Sequence, residues 1–335
     1  MLQATFTAPY EIMIEDAPVP EPGLGEALVK VAACGICGTD LKINEGHYLG
    51  SLPMTPGHEF AGVISALGAG VTGIDLGDRV AINPNLPCRR CSFCRTGMVH
   101  LCENSQAVGV TRPGGFAEYC SVPVELLIPV PGDLPLGLAA MMEPVSCCLH
   151  GMDLAGVKPG DDVILLGGGS IGLILLQLAR AAGATFAAVS EPRPEKRALA
   201  LELGADVAVD PSEIGEVATS LSGGGAQVVI ECAGVIPAAS TTMDLVRSGG
   251  TIMLFGVCPP DEAIEIEPYE VFHREITIRG CYTNPLTDSR ALSLLESNRV
   301  LVEPLISHAF PIDRVAEGVD AVRRGETVKA QVVPE

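Results

Sequence analysis

The sequence predicts an α/β protein: a doubly wound parallel sheet joined to a separate, irregular β-rich domain. Three observations predict it. From Lys158 onward short apolar runs alternate with helix-length segments, the rhythm of strand–helix–strand crossovers. Before that point, β-type runs are broken by glycine and proline and show no such rhythm. A chain of 335 residues, against a prior of about 150 per domain, has room for two cores.

Taken in order, the first part reads as strands over 26–32, 61–66 and 79–83, separated by turn residues at Pro22-Gly23, Gly73 and Gly77-Asp78. The second part reads as strand 162–166, helix 170–182, strand 185–190, helix 195–203 and strand 207–210. Helix 213–221, strand 227–232, helix 238–247 and strand 251–255 follow. After Arg279 the rhythm breaks; 286–297 reads as one more helix, and the last 55 residues return to the first domain. The uncharged run 163–179 contains three consecutive glycines and falls short of the ~20 residues of a membrane span. It reads as a buried strand, a tight turn and a helix, and the protein as one without membrane partners.

Lys plus Arg is 21 and Asp plus Glu is 41, a formal charge of −20. Such an excess repels phosphate backbones and anionic lipid heads, so nucleic acid and membrane surfaces are excluded as partners. With 47% hydrophobic and only 19% charged residues the chain is not disordered. The first thirty residues lack a basic start followed by an apolar run, and Pro9, Pro18, Pro20 and Pro22 interrupt them, so no secretory signal is expected. The compartment expected is therefore the reducing cytoplasm, where twelve cysteines serve as metal ligands, catalytic groups or core residues rather than bridges.

Four of them, Cys88, Cys91, Cys94 and Cys102, follow the spacing C-x2-C-x2-C-x7-C. Four thiolates this close can close a tetrahedral shell around Zn²⁺ with no open position, which is a structural site. Iron–sulfur clusters use similar spacings; four ordinary cysteines would scatter. A second signal, Gly167-Gly168-Gly169-Ser170-Ile171-Gly172, fits G-x-G-x-x-G after a strand and at the opening of a helix. Gly167 allows the turn, Gly169 lets backbone approach a pyrophosphate, and Gly172 lets helix and strand pack closely. The N–H groups at Ser170 and Ile171 open the helix end that faces the phosphates. Glu191, 19 residues after Gly172, ends the next strand where an acid would take the adenosine ribose hydroxyls. That favours NAD over NADP by charge repulsion, although Arg193 could accept a 2′-phosphate. The plain alternative is a surface Glu and Arg beside a helix start.

A third set is weaker by spacing alone. Cys34-Gly35-Ile36-Cys37 is a C-x-x-C, but Gly38-Thr39-Asp40 follows inside the β-rich part, not the helix of a redox pair. Gly57-His58-Glu59 stands 21 residues further on, and Glu143-Pro144 far downstream. One thiolate, one imidazole and one carboxylate would leave zinc an open, catalytic position. A satisfied polar His and a helix-start Glu are the ordinary readings of the same residues.

Cys34-Gly-Ile-Cys37-Gly-Thr39-Asp40 and Pro56-Gly57-His58-Glu59-Phe-Ala-Gly62 resemble the zinc-dependent medium-chain dehydrogenases of the alcohol dehydrogenase superfamily. The four-cysteine lobe, the Glu143-Pro144 step, the glycine turn and Glu231-Cys-Ala-Gly234 follow in that family's order, over essentially the whole chain. The resemblance implies a GroES-like catalytic domain, 1–148 with a zinc lobe at 84–104, interrupted by a Rossmann domain at 149–280 and resumed at 281–335. It implies two zinc ions per chain. Cys37, His58 and Glu143 surround the catalytic one, Glu59 ligates it or sits directly beside it, and Cys88, Cys91, Cys94 and Cys102 hold the structural one. Thr39 falls at the proton-relay hydroxyl, Asp40 at a carboxylate behind the ligands, and Lys196 where a lysine meets the adenosine ribose. Lys42 stands where many relatives carry the histidine that passes the proton to solvent, so Lys42, His47 or water completes the relay.

Glu143, a cysteine in many alcohol dehydrogenases, resembles the polyol (sorbitol-like) and threonine branches. The implied function is oxidation of a secondary alcohol, a polyol, to its ketone, with hydride transfer to NAD and the alcohol oxygen at the catalytic zinc. L-threonine 3-dehydrogenase and simple secondary-alcohol dehydrogenase are the alternatives, with a non-enzymatic zinc- and nucleotide-binding protein as a third. The family also implies a homo-oligomer, a dimer or tetramer. Cys147, Cys148, Cys232, Cys258 and Cys281 are expected as small core residues, and His150 as structural.

Overall fold

In the computed structural model, which describes residues 1–47 and 51–334, the chain divides into two compact units. One comprises Met1–Ser146, Pro285–Asn298 and Val302–Glu335; the other comprises Cys147–Asn284 and Arg299–Leu301. The divisions fall at 146/147 and 284/285 rather than at 148/149 and 280/281. The reason lies in Ser146 and Thr287, whose hydroxyls meet at 2.7 Å, while the Thr287 hydroxyl also donates to the Ser146 carbonyl at 2.8 Å. Both residues thus belong with the first unit.

The second unit is a six-stranded, all-parallel sheet in the order Val207–Val209, Phe186–Ser190, Asp162–Leu166, Ala226–Glu231, Val246–Leu254, Thr277–Gly280. This is the doubly wound order with a switch point beside the first strand, where ligands of such sheets bind. Its strands are buried runs of Val, Ile, Leu and Ala because helices such as Ser170–Ala182 and Ile236–Leu245 are interposed between them. Ile164, Val229, Ile252 and Leu245 lie within one of its core clusters.

The first unit is built on a seven-stranded mixed sheet. Its longest strand, Glu26–Ile36, pairs antiparallel with Glu59–Leu67, with Tyr119–Pro123 and, at its far end, with the C-terminal Lys329–Val332. Phe6, Phe60, Phe116, Val29 and Ile64 fill the core beneath it. The hairpin of Leu2–Ala8 and Glu11–Asp16 and the helix Val315–Arg323 pack onto this unit. No helix among the described residues is long and apolar enough to cross a membrane.

Of the five cysteines expected in the core, Cys148 alone is fully buried; Cys147, Cys232, Cys258 and Cys281 are half-buried. Cys232 follows the strand Ala226–Glu231, and its thiol donates to the Leu166 carbonyl at 3.2 Å.

Candidate metal centres and dinucleotide cradle

Among the described residues, two groups of ligand-bearing side chains converge in the first unit. The sulfurs of Cys88, Cys91, Cys94 and Cys102 all lie within 4.8 Å of one another. The loop that carries them is pinched off by the antiparallel pair Asn85–Leu86 and Gln106–Ala107. The turn Ser92–Arg95 starts at Cys91, and the Cys88 amide donates to the Cys102 sulfur at 3.2 Å. Backbone amides of Arg90 and Cys91 bring the Cys88 thiol down to about 6, whereas burial and the neighbouring sulfurs push Cys94 up to about 12. Four sulfurs this close are a closed donor set that fits zinc.

Cys37, His58 and Glu59 form the second group, their ligand atoms also within 4.8 Å of one another. Contrary to the sequence reading, a short helix, Gly38–Asn44, does follow the C-x-x-C; Cys37 caps it, and the N–H of Cys37 donates to Asp40 Oδ2 at 2.8 Å. Asp40 is fully buried, and its other oxygen stands 3.7 Å from His58 Nδ1. One carboxylate therefore steadies two members of the set. His58 and Glu59 arrive at the start of Glu59–Leu67 from a turn at Gly57, whose φ is +97°. A Cβ at Gly57 would lie 2.7 Å from the Phe116 ring and 2.8 Å from the Cys34 sulfur. Only glycine allows that turn.

Burial works to lower the His58 pKa, but Asp40 and Cys37 outweigh it and hold the ring well above its usual range. Buried Asp40 Oδ1 and His58 Nδ1 have no hydrogen-bond partner among the described residues. Sulfur, imidazole and carboxylate donors this close, with polar atoms left over, fit a zinc ion with about 2.0–2.3 Å bonds and leave its fourth position open.

Glu143, in the first turn of Met142–Ala155, is buried but is not a member of the 4.8 Å set. Its charge nevertheless reaches Lys329. Lys329 is buried and ion-paired with Glu59. Burial works against its proton, yet the charges of Glu59, Cys37 and Glu143 hold its pKa well above the usual lysine value. Sequence reasoning passed over Lys329, whose one signal is a lysine opening an otherwise uncharged C-terminal strand. Thr39 and Lys42 lie three residues apart on the helix after Cys37, hence on one face; both are half-buried, and His47 is exposed.

The second unit carries the glycine turn at the C-terminal ends of adjacent strands. Gly167 has φ +120°, and Gly169 caps the helix Ser170–Ala182 with nothing within 4 Å of the Cβ it lacks. A Cβ on Gly172 would lie 1.9 Å from the Gly167 carbonyl, so helix and turn touch backbone to backbone. Ser170 and Ile171 form the open end of that helix. Glu191 is buried beside the turn, where the Gly168 N–H donates to Oε2 at 2.8 Å and the Arg193 N–H to Oε1 at 3.0 Å. Burial lowers the Lys196 pKa, and the charges of Glu191 and Arg193 act on it in opposite senses. Open backbone at a helix start beside a buried carboxylate suits a dinucleotide's pyrophosphate and ribose.

Residues 23–132 match the family described as alcohol dehydrogenase GroES-like domain, and residues 170–297 the family described as zinc-binding dehydrogenase. The D-altritol 5-dehydrogenase of Agrobacterium fabrum is 34% identical over 315 residues, 92% of each chain. The L-threonine 3-dehydrogenase of Pyrococcus horikoshii is 34% identical over 330 residues, covering 96% of this chain and 94% of its own. A protein of Sinorhizobium meliloti 1021, solved with NADP bound, is 40% identical and superposes with a TM-score of 0.95 over 99% of both chains. Two donor sets of zinc type, a glycine turn at a switch point and these matches lead to one assignment: the chain is an oxidoreductase that belongs to the zinc-dependent medium-chain dehydrogenases.

Proposed function

We propose that this enzyme interconverts a secondary hydroxyl of a polyol and the corresponding ketone, with NAD(H) as hydride carrier and two zinc ions per chain. The observation that carries the reading is the Cys37, His58 and Glu59 set, three donors with room for a fourth, beside a second set that four sulfurs already close. When bound, zinc supplies a Lewis acid that eases deprotonation of the substrate hydroxyl, and the nicotinamide supplies the hydride acceptor. The chain's own part is to hold and move the proton. Thr39 offers its hydroxyl as first acceptor, and Lys42, one turn further on the same helix face, passes the proton toward solvent near His47. Asp40 keeps Cys37 and His58 in register. Glu143 adds negative charge beside the set.

A polyol is favoured because Glu143 stands where many alcohol dehydrogenases carry cysteine, and because of the similarity to D-altritol 5-dehydrogenase. L-threonine is the competing substrate, on similarity of the same degree. NAD is favoured over NADP because the Glu191 carboxylate beside Gly168 would repel a 2′-phosphate. Arg193 and Lys196 supply the opposing charge. A reducing, cytoplasmic setting would keep the five cysteines of the two sets as free ligands. The test is reduced-nicotinamide absorbance with a panel of polyols, L-threonine and simple secondary alcohols, each run with NAD and with NADP. Turnover on polyols with NAD is expected. Turnover confined to L-threonine overturns the substrate class, and a preference for NADP overturns the role of Glu191.

A further inference from the structure

Lys329 opens the C-terminal strand Lys329–Val332, which runs antiparallel to the end of Glu26–Ile36 with Gln331 opposite Gly35. On the other side of that strand Gly35 is opposite Glu59. Gly35 thus lies between the strands that bear the two charges. A Cβ there would sit 2.0 Å from Glu59 Oε2 and 2.9 Å from Lys329 Cε. The missing side chain is what lets ammonium and carboxylate meet. Both residues are buried, at 4% and 1% exposure. A buried ion pair adds little net stability, since desolvating both ions offsets their attraction, but removing one partner strands the other. The Glu59 carboxylate is also one of the three groups that converge on the open metal set. A single carboxylate therefore answers to two cations.

We propose that Lys329 is a positioning residue of the Cys37, His58 and Glu59 centre: by holding Glu59 across the gap at Gly35 it competes with the metal for that carboxylate and sets how readily the metal leaves. The inference rests on the metal-centre reading above. With Lys329 present, Glu59 shares its charge and its hold on the metal is weakened. Without Lys329, the buried carboxylate loses its ion-pair partner and grips the metal harder.

The test is zinc release from the holoenzyme to excess chelator, with zinc counted per chain before and after. Wild type is expected to release one zinc well ahead of the four-sulfur zinc, and Cys37→Ser to lack that phase. Absence of the phase in wild type removes the metal-centre reading itself. Where the phase is present, Lys329→Met is expected to slow it about tenfold, the scale on which groups behind metal ligands act. Lys329→Gln should slow it less, and Lys329→Arg, which keeps the charge, should match or exceed the wild-type rate. In a Glu59→Gln background Lys329→Met should leave the rate unchanged. A lysine with only a packing role predicts the reverse, faster release in both backgrounds. Release as fast as wild type in Lys329→Met or Lys329→Gln, or slower than wild type in Lys329→Arg, overturns the proposal.

Discussion

Glu143 is buried at the first turn of Met142–Ala155, outside the three-donor set yet near enough to act on Lys329. Glu143→Ala is expected to leave the fold and NAD binding intact. It should also lower catalytic zinc affinity or polyol turnover by about 10- to 100-fold. A mere helix-start carboxylate would instead cost about 1 kcal/mol of stability with kinetics unchanged; zinc content and turnover measured on the one variant separate the two. His58 gives a pH dependence. With its pKa held above the usual range, the metal-free ring holds its proton to higher pH than an ordinary histidine, and zinc requires the neutral imidazole. Zinc affinity should therefore rise with pH through neutrality and fall as pH drops, with proton release on binding. Chelator competition from about pH 6 to pH 8 checks this, and a flat profile contradicts it. Cys37, His58 and Glu59 were connected in the sequence only by family resemblance, which short contiguous motifs carried; spacing alone left them apart. Lys329 was not legible, because its closeness to Glu59 is created by a strand arriving from the other end of the chain.

Strand Asp162–Leu166 and helix Ser170–Ala182 agree with the sequence reading to the residue, since their ends are set by glycines: Gly167, the cap Gly169, and Gly183 at φ +101°. The strand expected at 251–255 begins earlier, at Val246, and cuts short the helix before it. Its pairing with Ala226–Glu231 slips between Val246 and Thr251, around Gly249 at φ +74°. An irregularity of that kind leaves no periodic trace in sequence. Gly172→Ala would drive a methyl into the Gly167 carbonyl. A loss of about 1–3 kcal/mol is expected, together with weaker NAD binding; unchanged Tm and NAD affinity would show that the turn can yield. The cysteine lobe is an element whose spacing alone was informative. Cys91→Ser is expected to remove one zinc per chain and lower Tm, and retention of both properties would count against a structural metal.

At the scale of the molecule, 41 acidic against 21 basic side chains make self-repulsion a stability term. Raising ionic strength from about 10 to about 150 mM shortens the screening length from about 30 to about 8 Å. Tm should rise by a few degrees; a fall would mean that surface ion pairs such as Arg314–Glu317 outweigh the repulsion. The strand–helix alternation made the parallel sheet legible as a whole, because every crossover repeats the same apolar pattern. The return of the C-terminus was faintly legible, because a sheet joins strands without regard to their distance along the chain, as Lys329–Val332 beside Glu26–Ile36 illustrates. Ser146 and Thr287, hydroxyl to hydroxyl at 2.7 Å, mark where the chain leaves the first unit and where it comes back. To the metal-bearing half, 138 residues of nucleotide-type sheet, Cys147–Asn284, are topologically a surface loop with its ends already fastened together.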